Sequence, residues 1–312
     1  MNAYQDFRLF YNQHIHPELL HLEQRRQRFI RLLFLSVFLL AGVVLLQALI
    51  RILVVTLLLL IPIGLGMAYM YFRITVFFDE FKPRIVGLIM DFIDNDVNFT
   101  FHSYEPKGAI PESRFLASKI FTTVDEYAGE DLITGQVRET PFELCELRVN
   151  AFSPVRDKMD NIFRGIFLIG DFKRWDMHGG LLVLPDAYRK YLFPSAKAFH
   201  LAGGRRVRAQ LLPEFEAFFD TWASPNVRLG EVISEDMQRA ILLFRQRFLE
   251  TNRQKEIYFS IIGDKIYLAL TQDKDLMEPS LFANNVSFEV VKEYYDDLRL
   301  LLDVVRDVDV MS

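Results

Sequence analysis

The hydrophobic pattern divides the chain into two parts of different character. Residues 32–72 are apolar almost without a break, and Arg51 is the one charged side chain among them. A bilayer core about 30 Å thick is crossed by roughly 20 helical residues rising about 1.5 Å each, so this run is about twice too long for one span and has to fold back. Residues 32–50 (LLFLSVFLLAGVVLLQALI) and 52–72 (ILVVTLLLLIPIGLGMAYMYF) each have the length and apolarity of one span, with Gln47 and Arg51 marking the turn. A transmembrane helical hairpin is expected. Pro62, Gly64 and Gly66 are compatible with it, since a neighbouring helix can satisfy freed backbone groups or pack close against a glycine. The apolar run starts too late and is too long for a cleavable secretory signal, so the anchor is expected to stay.

The flanks carry a helical period. In residues 1–31, Phe7, Phe10, Tyr11, Leu19, Leu20 and Leu22 fall close to one helical face, and Pro17 suits the first turn of a second helix running into the membrane. In residues 73–94, Phe77, Phe78, Phe81, Ile85, Ile89 and Phe92 form an apolar stripe; Pro83 predicts a kink there, where the membrane helix hands over to a soluble domain.

From Val97 the period shortens. VNFTFHSY, LITGQV, PFELCELRV, FRGIFLIGDF and GLLVL read as strands separated by Gly, Pro and Asp clusters, with a short helix at residues 111–123 turning Phe115, Ile120 and Phe121 toward the sheet. No long helix alternates regularly with these strands, which favours antiparallel pairing over a doubly wound parallel sheet. Ser234 caps a predicted helix with Met237, Ile241, Phe244 and Phe248 on its buried face. Residues 256–270 alternate on both sides of Gly263-Asp264, a hairpin signature. Ser287 starts a last helix, with Val291, Tyr294, Leu298, Leu301, Val305 and Val308 aligned, that either closes the core or pairs with another subunit. The expected fold class is α+β: an N-terminal two-helix transmembrane hairpin followed by a cytoplasmic antiparallel-sheet domain with packed helices. The divisions expected are a helical segment at 1–31, the hairpin at 32–72, a juxtamembrane helix at 73–94 and the α+β domain at 95–312. The pattern leaves the boundaries between Tyr188 and Ser234 open.

Charge sets the orientation. Arg25, Arg26, Arg28 and Arg31 precede the first span and Arg73, Lys82 and Arg84 follow the second, against Arg51 alone in the turn, so both termini are expected in the cytoplasm. The net charge of −5 gives no global attraction to nucleic acid, and none is expected as a partner. The single cysteine, Cys145, lies in an apolar strand run and reads as core.

The chain has no P-loop, no Gly-x-Gly-x-x-Gly after a strand, no Gly-x-Ser-x-Gly elbow, no H-E-x-x-H and no cysteine-pair spacing for a metal, and no cofactor or metal is expected. His14 and His16 are two apart and would not share a helical face, so they make a poor metal pair. Two constellations remain as interaction or cleft residues: Tyr127, Glu130 and Asp131 in YAGEDLITG, and Asp171, Asp176 and His178, with Lys173, in GDFKRWDMHGG. Carboxylates beside a histidine suit acid–base work, but acidic and glycine residues also make strand connections, and turns are the favoured reading of both. Arg205, Arg206 and Arg208 are candidate contacts to anionic lipid, with a solvated turn or strand favoured.

The order of these features resembles a family of bacterial membrane proteins catalogued as domain of unknown function 3137. The residues that carry the resemblance are FRLFYNQHIHPELLHLEQRRQR, the apolar hairpin, SRFLASKIFTTVDEYAGEDLITGQV, FRGIFLIGDFKRWDMHGGLLVLPD, EFEAFF and IYFSIIGDKIYLALTQDKDLMEPSLF. The resemblance implies an anchored cytoplasmic α+β domain at the inner membrane and, because such proteins are often encoded near LemA-type membrane proteins, an envelope-associated assembly. It implies no catalytic residues. The expected function is therefore a membrane-tethered binding or scaffold protein whose partners are the membrane, other membrane proteins and further copies of itself. The alternatives are a membrane-anchored enzyme using Asp171, Asp176 and His178, and a minor subunit of a transport assembly. The latter is weakened by spans without ionisable residues apart from the turn.

Overall fold

A computed structural model describes residues 3–50, 53–172, 179–185, 189–207, 211–227, 232–251, 256–272 and 278–311. The chain divides into two compact units, one of Met1–Phe92 with Leu276–Tyr294, the other of Ile93–Asp275 with Tyr295–Ser312.

The first unit is built on helices α1 (Ala3–Phe10), α2 (His16–Ile50) and α3 (Leu53–Asp94), with a π-helical turn, Tyr11–Ile15, joining the first two. α2 and α3 are 35 and 42 residues long, both more than the roughly 20 a bilayer requires. Both are long and apolar enough to cross a membrane, and many apolar side chains of their apolar stretches, including Phe38 and Leu65, are exposed. They pair antiparallel. Thr56 hydrogen-bonds Gln47 beside the turn, Phe29 meets the Phe77 ring edge-on at 6.1 Å, and ion pairs join Arg25 to Glu80 at 3.0 Å and Arg84 to Glu18 at 2.6 Å.

α3 runs through both Pro62 and Pro83 without ending. A proline inside a helix costs about 3 kcal/mol. Buried Phe77, Phe81, Ile85, Val86 and Ile89 lie on both sides of Pro83 and hold the helix together against that cost. The Lys82 ammonium beside it is buried and pairs with Glu278 at 3.0 Å. Residues 278–294 complete this unit. Arg26 and Glu23, both buried and paired to each other, hold that segment through the Leu281 carbonyl and the Asn285 N–H. Phe288 packs on Tyr11 at 4.9 Å and Phe7 at 6.3 Å.

The second unit is α+β, as the short β-type runs predicted. Its nine described strands are β1 (Phe99–Glu105), β2 (Glu126–Val137), β3 (Thr140–Ser153), β4 (Lys158–Asp171), β5 (Gly180–Pro185), β6 (Arg205–Val207), β7 (Phe219–Ala223), β8 (Ile257–Ile262) and β9 (Lys265–Thr271). They form one sheet in the order β1-β2-β3-β4-β9-β8-β5-β7-β6, antiparallel at every pairing. Gly263, at φ 63°, supplies the left-handed residue that the tight β8–β9 turn needs.

The described helices of this unit are α4 (Glu112–Ala117), α5 (Arg189–Leu201), α6 (Pro213–Phe218), α7 (Glu235–Thr251) and the last helix, α8 (Phe288–Met311), from Tyr295 onward. Because side chains alternate along a strand, Cys145, Leu147, Val149, Phe167, Ile169, Tyr267 and Ala269 share one face with Phe115, Phe121 and Phe199. Glu146 and Arg148 point to the other. On that second face α8 closes over its own domain: Leu298, Leu301, Leu302 and Val305 are buried, Gln272 donates to Asp297 at 3.1 Å, and Arg299 pairs with Asp96 at 2.7 Å while lying over the Phe99 ring. The side chain of Val308, and those of Phe244 and Phe248 on α7, lie outside what the structure describes. Ser234 caps α7 through the Met237 N–H at 3.1 Å, and Ser287 caps α8 through Val290 at 3.3 Å.

Candidate functional site

YAGED was expected to be a connection, and it is instead the first half of β2. A register shift between Glu130 and Ile133 leaves a bulge there, in which Asp131 adopts φ 61° and its N–H bonds the Pro106 carbonyl at 3.0 Å. That bulge explains why the segment carries turn-forming residues while pairing as a strand.

The bulge borders a cleft of about 140 Å³ lined by Ala128, Glu130, Glu146, Arg148, Arg164 and Gln272, with Gly129 and Gly165 bare at its floor. Four strand segments meet there. Glu130 stands directly opposite Glu146, and Arg148 directly opposite Arg164. Like charges placed directly across a ladder destabilise a sheet, by roughly 0.2–1 kcal/mol per pair, and this face carries two such pairs side by side. They partly neutralise each other on the diagonal, where Arg148 comes within 3.9 Å of Glu130. Carboxylate oxygens of Glu130, Asp131 and Glu146 lie within 4.8 Å of one another, and Asp131 is buried with the Tyr104 hydroxyl on it. At Gly165, φ is +150° and a Cβ would stand 1.9 Å from the Leu270 carbonyl oxygen, so only glycine fits this floor.

The other predicted residues are dispersed. The Tyr127 hydroxyl donates to the Ile110 carbonyl at 2.6 Å, its ring lies 5.7 Å from Phe115, and burial pushes its phenol up: it is a core residue. Asp171 ends β4, six residues beyond Gly165, about 20 Å away at ~3.3 Å per residue. Its carboxylate pairs with Lys265 at 3.1 Å, and Asp264 pairs with the same ammonium. Desolvation pulls Lys265 down, but those two carboxylates outweigh it and hold its pKa above the ordinary value. Asp176, His178 and Lys173 lie outside the described residues, as does Arg208. Arg205 is exposed on β6, and Arg206 pairs with Asp220 of β7. Cys145 is fully buried and burial raises its thiol to about 12, which leaves it inert.

Sequence reasoning missed Glu146, Arg148, Arg164 and Gln272. A signal was present: Glu146 and Arg148 are two apart inside an apolar run and so share one face of a strand.

A second feature rises beside the cleft. β3 pairs with β2 only as far as Asn150, and β4 pairs with β9 only from Gly165. Among the described residues, 151–153 and 158–160 therefore have no third strand beside them and form a two-stranded arm, closed by the Arg156 N–H on the Ser153 carbonyl at 3.1 Å and steadied at its root by the Phe152 N–H on the Asp125 carboxylate at 2.6 Å. Phe152 and Met159 face each other across it. With Val155 in the turn, they are 47%, 38% and 96% exposed.

These features define a class: an α+β protein that joins two helices apolar and long enough to cross a membrane to a nine-stranded antiparallel sheet domain. A family model described as protein of unknown function (DUF3137) matches residues 161–310, just under half of the chain, and supports its membership of that family. The matched half holds β4 to β9 with α8, and so contributes Arg164, Gly165 and Gln272 to the cleft, while Glu130, Glu146 and Arg148 precede it. No curated protein and no solved structure matches the chain.

Proposed function

We propose that this protein is a membrane-tethered scaffold that works by binding another protein through the arm between β3 and β4. α2 and α3 form the anchor, a two-span hairpin in a bacterial cytoplasmic membrane with both termini on the cytoplasmic side. The observation that carries the reading is the arm. An otherwise well-packed sheet extends two strands past their neighbours and ends them in Phe152, Val155 and Met159, apolar side chains without a core to enter. Exposed apolar groups gathered at one place mark an interaction site. Arg156 with Asp160, and the nearby Asp157 and Lys158, balance in charge, which suits a protein contact better than an anionic lipid surface. Tethering supports modest contacts, since partners confined to one membrane meet at raised effective concentration. A membrane protein of the LemA type or a second copy of the chain would meet the arm in this way.

The experiment is purification of the full chain in detergent, with size measurement and mass spectrometry of its companions, for the parent and Val155→Asp. Because Val155 is almost fully exposed, the substitution should change stability by less than about 0.5 kcal/mol. The expected result is loss of a reproducible companion, or of self-association, in the variant. A parent that is strictly monomeric without companions, or a variant that keeps them all, overturns the reading.

A further inference from the structure

We propose that the cleft at the root of the arm binds a small zwitterion of the amino-acid class, its carboxylate received between Arg148 and Arg164 and its ammonium between Glu130 and Glu146. The proposal goes beyond protein docking and does not depend on it.

Four observations converge. The charges are ordered in rows: the two arginines are cross-strand neighbours, and so are the two glutamates, with Arg148 within 3.9 Å of Glu130 on the diagonal between them. A sheet face stabilised only by ion pairing would place opposite charges opposite each other; here the face presents one positive end and one negative end, and the sequence tolerates a repulsive pair at each. Charge placements that oppose local stability are expected at functional sites.

The spacing also fits. Glu146 and Arg148 are two residues apart on β3, about 6.6 Å along the strand, so a ligand whose opposite charges are a few ångströms apart sits between the rows. Planar guanidiniums receive a carboxylate with paired N–H donors, and Arg148 and Arg164 stand directly opposite each other on β3 and β4.

The volume sets the size. A cleft of about 140 Å³ has room for roughly four or five waters at ~30 Å³ each, which suits a ligand of fewer than about ten heavy atoms. Ala128 in the arginine row and bare Gly165 beside Arg164 leave that end open rather than filled.

Burial grades the site. Glu146 is 9% exposed and Gln272 5%, both at the floor, whereas the side chains of Arg148 and Glu130 are half-exposed at the mouth. Buried charge at the floor provides field, and half-exposed charge at the mouth gives entry. An anion alone would meet Glu130, Asp131 and Glu146, and a divalent cation alone would meet two guanidiniums. A dipolar ion complements both rows at once.

The test uses the full chain in detergent at low salt. Melting temperature is followed against millimolar glycine, alanine, glutamate and lysine, against the single-charge analogues propionate and propylammonium, and against calcium and manganese chloride. Equilibrium dialysis with labelled amino acid measures binding directly. The expected result is a saturable rise with at least one amino acid that neither analogue nor metal reproduces, weakened about tenfold or more in Arg148→Gln and in Glu130→Gln. Both side chains are half-exposed, so these variants should melt close to the parent, and Val155→Asp should retain the response. A panel in which no amino acid binds overturns the proposal. So does an equal response to propionate, propylammonium or the metals, or unchanged affinity in both cleft variants. Loss of companions in Val155→Asp with amino-acid binding intact, or the converse, separates this result from the fate of the docking arm.

Discussion

Asp96 shows how one side chain near the start of the sheet domain reports on the whole of it. Burial pushes its carboxyl up, but the N–H groups of Asn98 and the Arg299 guanidinium outweigh that and hold the pKa below the ordinary carboxylate value. A depressed acid contributes stability above its unfolded value, about 3.9, and loses it as pH falls through the folded value. The melting temperature of the parent should therefore be flat from about pH 7 to 5 and fall below about pH 4. Asp96→Asn should cost about 1–3 kcal/mol at neutral pH, because the charged partner is removed from a guanidinium hydrogen bond. Its deficit against the parent should shrink toward pH 3, where Asp96 itself becomes neutral. A deficit independent of pH would show that the pair acts by packing over Phe99 rather than by charge. Glu23 belongs to the same class, held down by the hydrogen bond from Arg26 ahead of the opposing effect of burial, so part of the acid fall should survive in the variant.

At the scale of elements, the short helix α4 has consequences out of proportion to its length. Its Phe115 is fully buried, stacks on Phe121 at 4.7 Å and meets the edge of Phe167 at 5.0 Å, joining the helix and its following loop to the middle of the sheet. Phe115→Ala should cost about 3–5 kcal/mol, read as a lowered denaturant midpoint. A loss under about 1 kcal/mol would mean that α4 is peripheral to the core. The terminal helix α8 was open between covering its sheet and serving another subunit. Its Asp297–Gln272 and Arg299–Asp96 contacts tie it to its own domain, just after β9 and just before β1, because an apolar stripe on an amphipathic helix is satisfied by the nearest unfilled sheet face.

At the scale of the whole chain, the two long helices carry the topology prediction. Antiparallel pairing from Gln47–Thr56 to Arg84–Glu18 returns the chain to the end where it started. If both helices cross a bilayer, reporter fusions after Ser312 and after Met1 should report the same side, and an insertion at Arg51 the opposite one. The arginine bias around the spans predicts the cytoplasm for the termini. An external Ser312 would overturn that orientation, termini on opposite sides would end the two-span reading, and release of the intact chain by alkaline carbonate would end the anchor itself.

Local pattern accounted for a great deal here. Unbroken apolarity over residues 32–72 required two long helices, alternation on either side of Gly263 required a hairpin, and strands without regular intervening helices required antiparallel pairing. Each of these follows from a period short enough to be read along the chain. Glu130 and Asp131 misled because a bulge uses the same residue types as a turn. Of the cleft, local pattern offered only Glu130, Asp131 and the spacing of Glu146 and Arg148, and not their convergence. The cleft exists because β2, β3 and β4 pair in one register, which sets Glu130 across from Glu146 and Arg148 across from Arg164, and because β9 returns Gln272 beside Gly165. Register between distant strands is decided by which apolar faces can be buried together and by where bulges shift the ladder, and those are properties of the folded sheet.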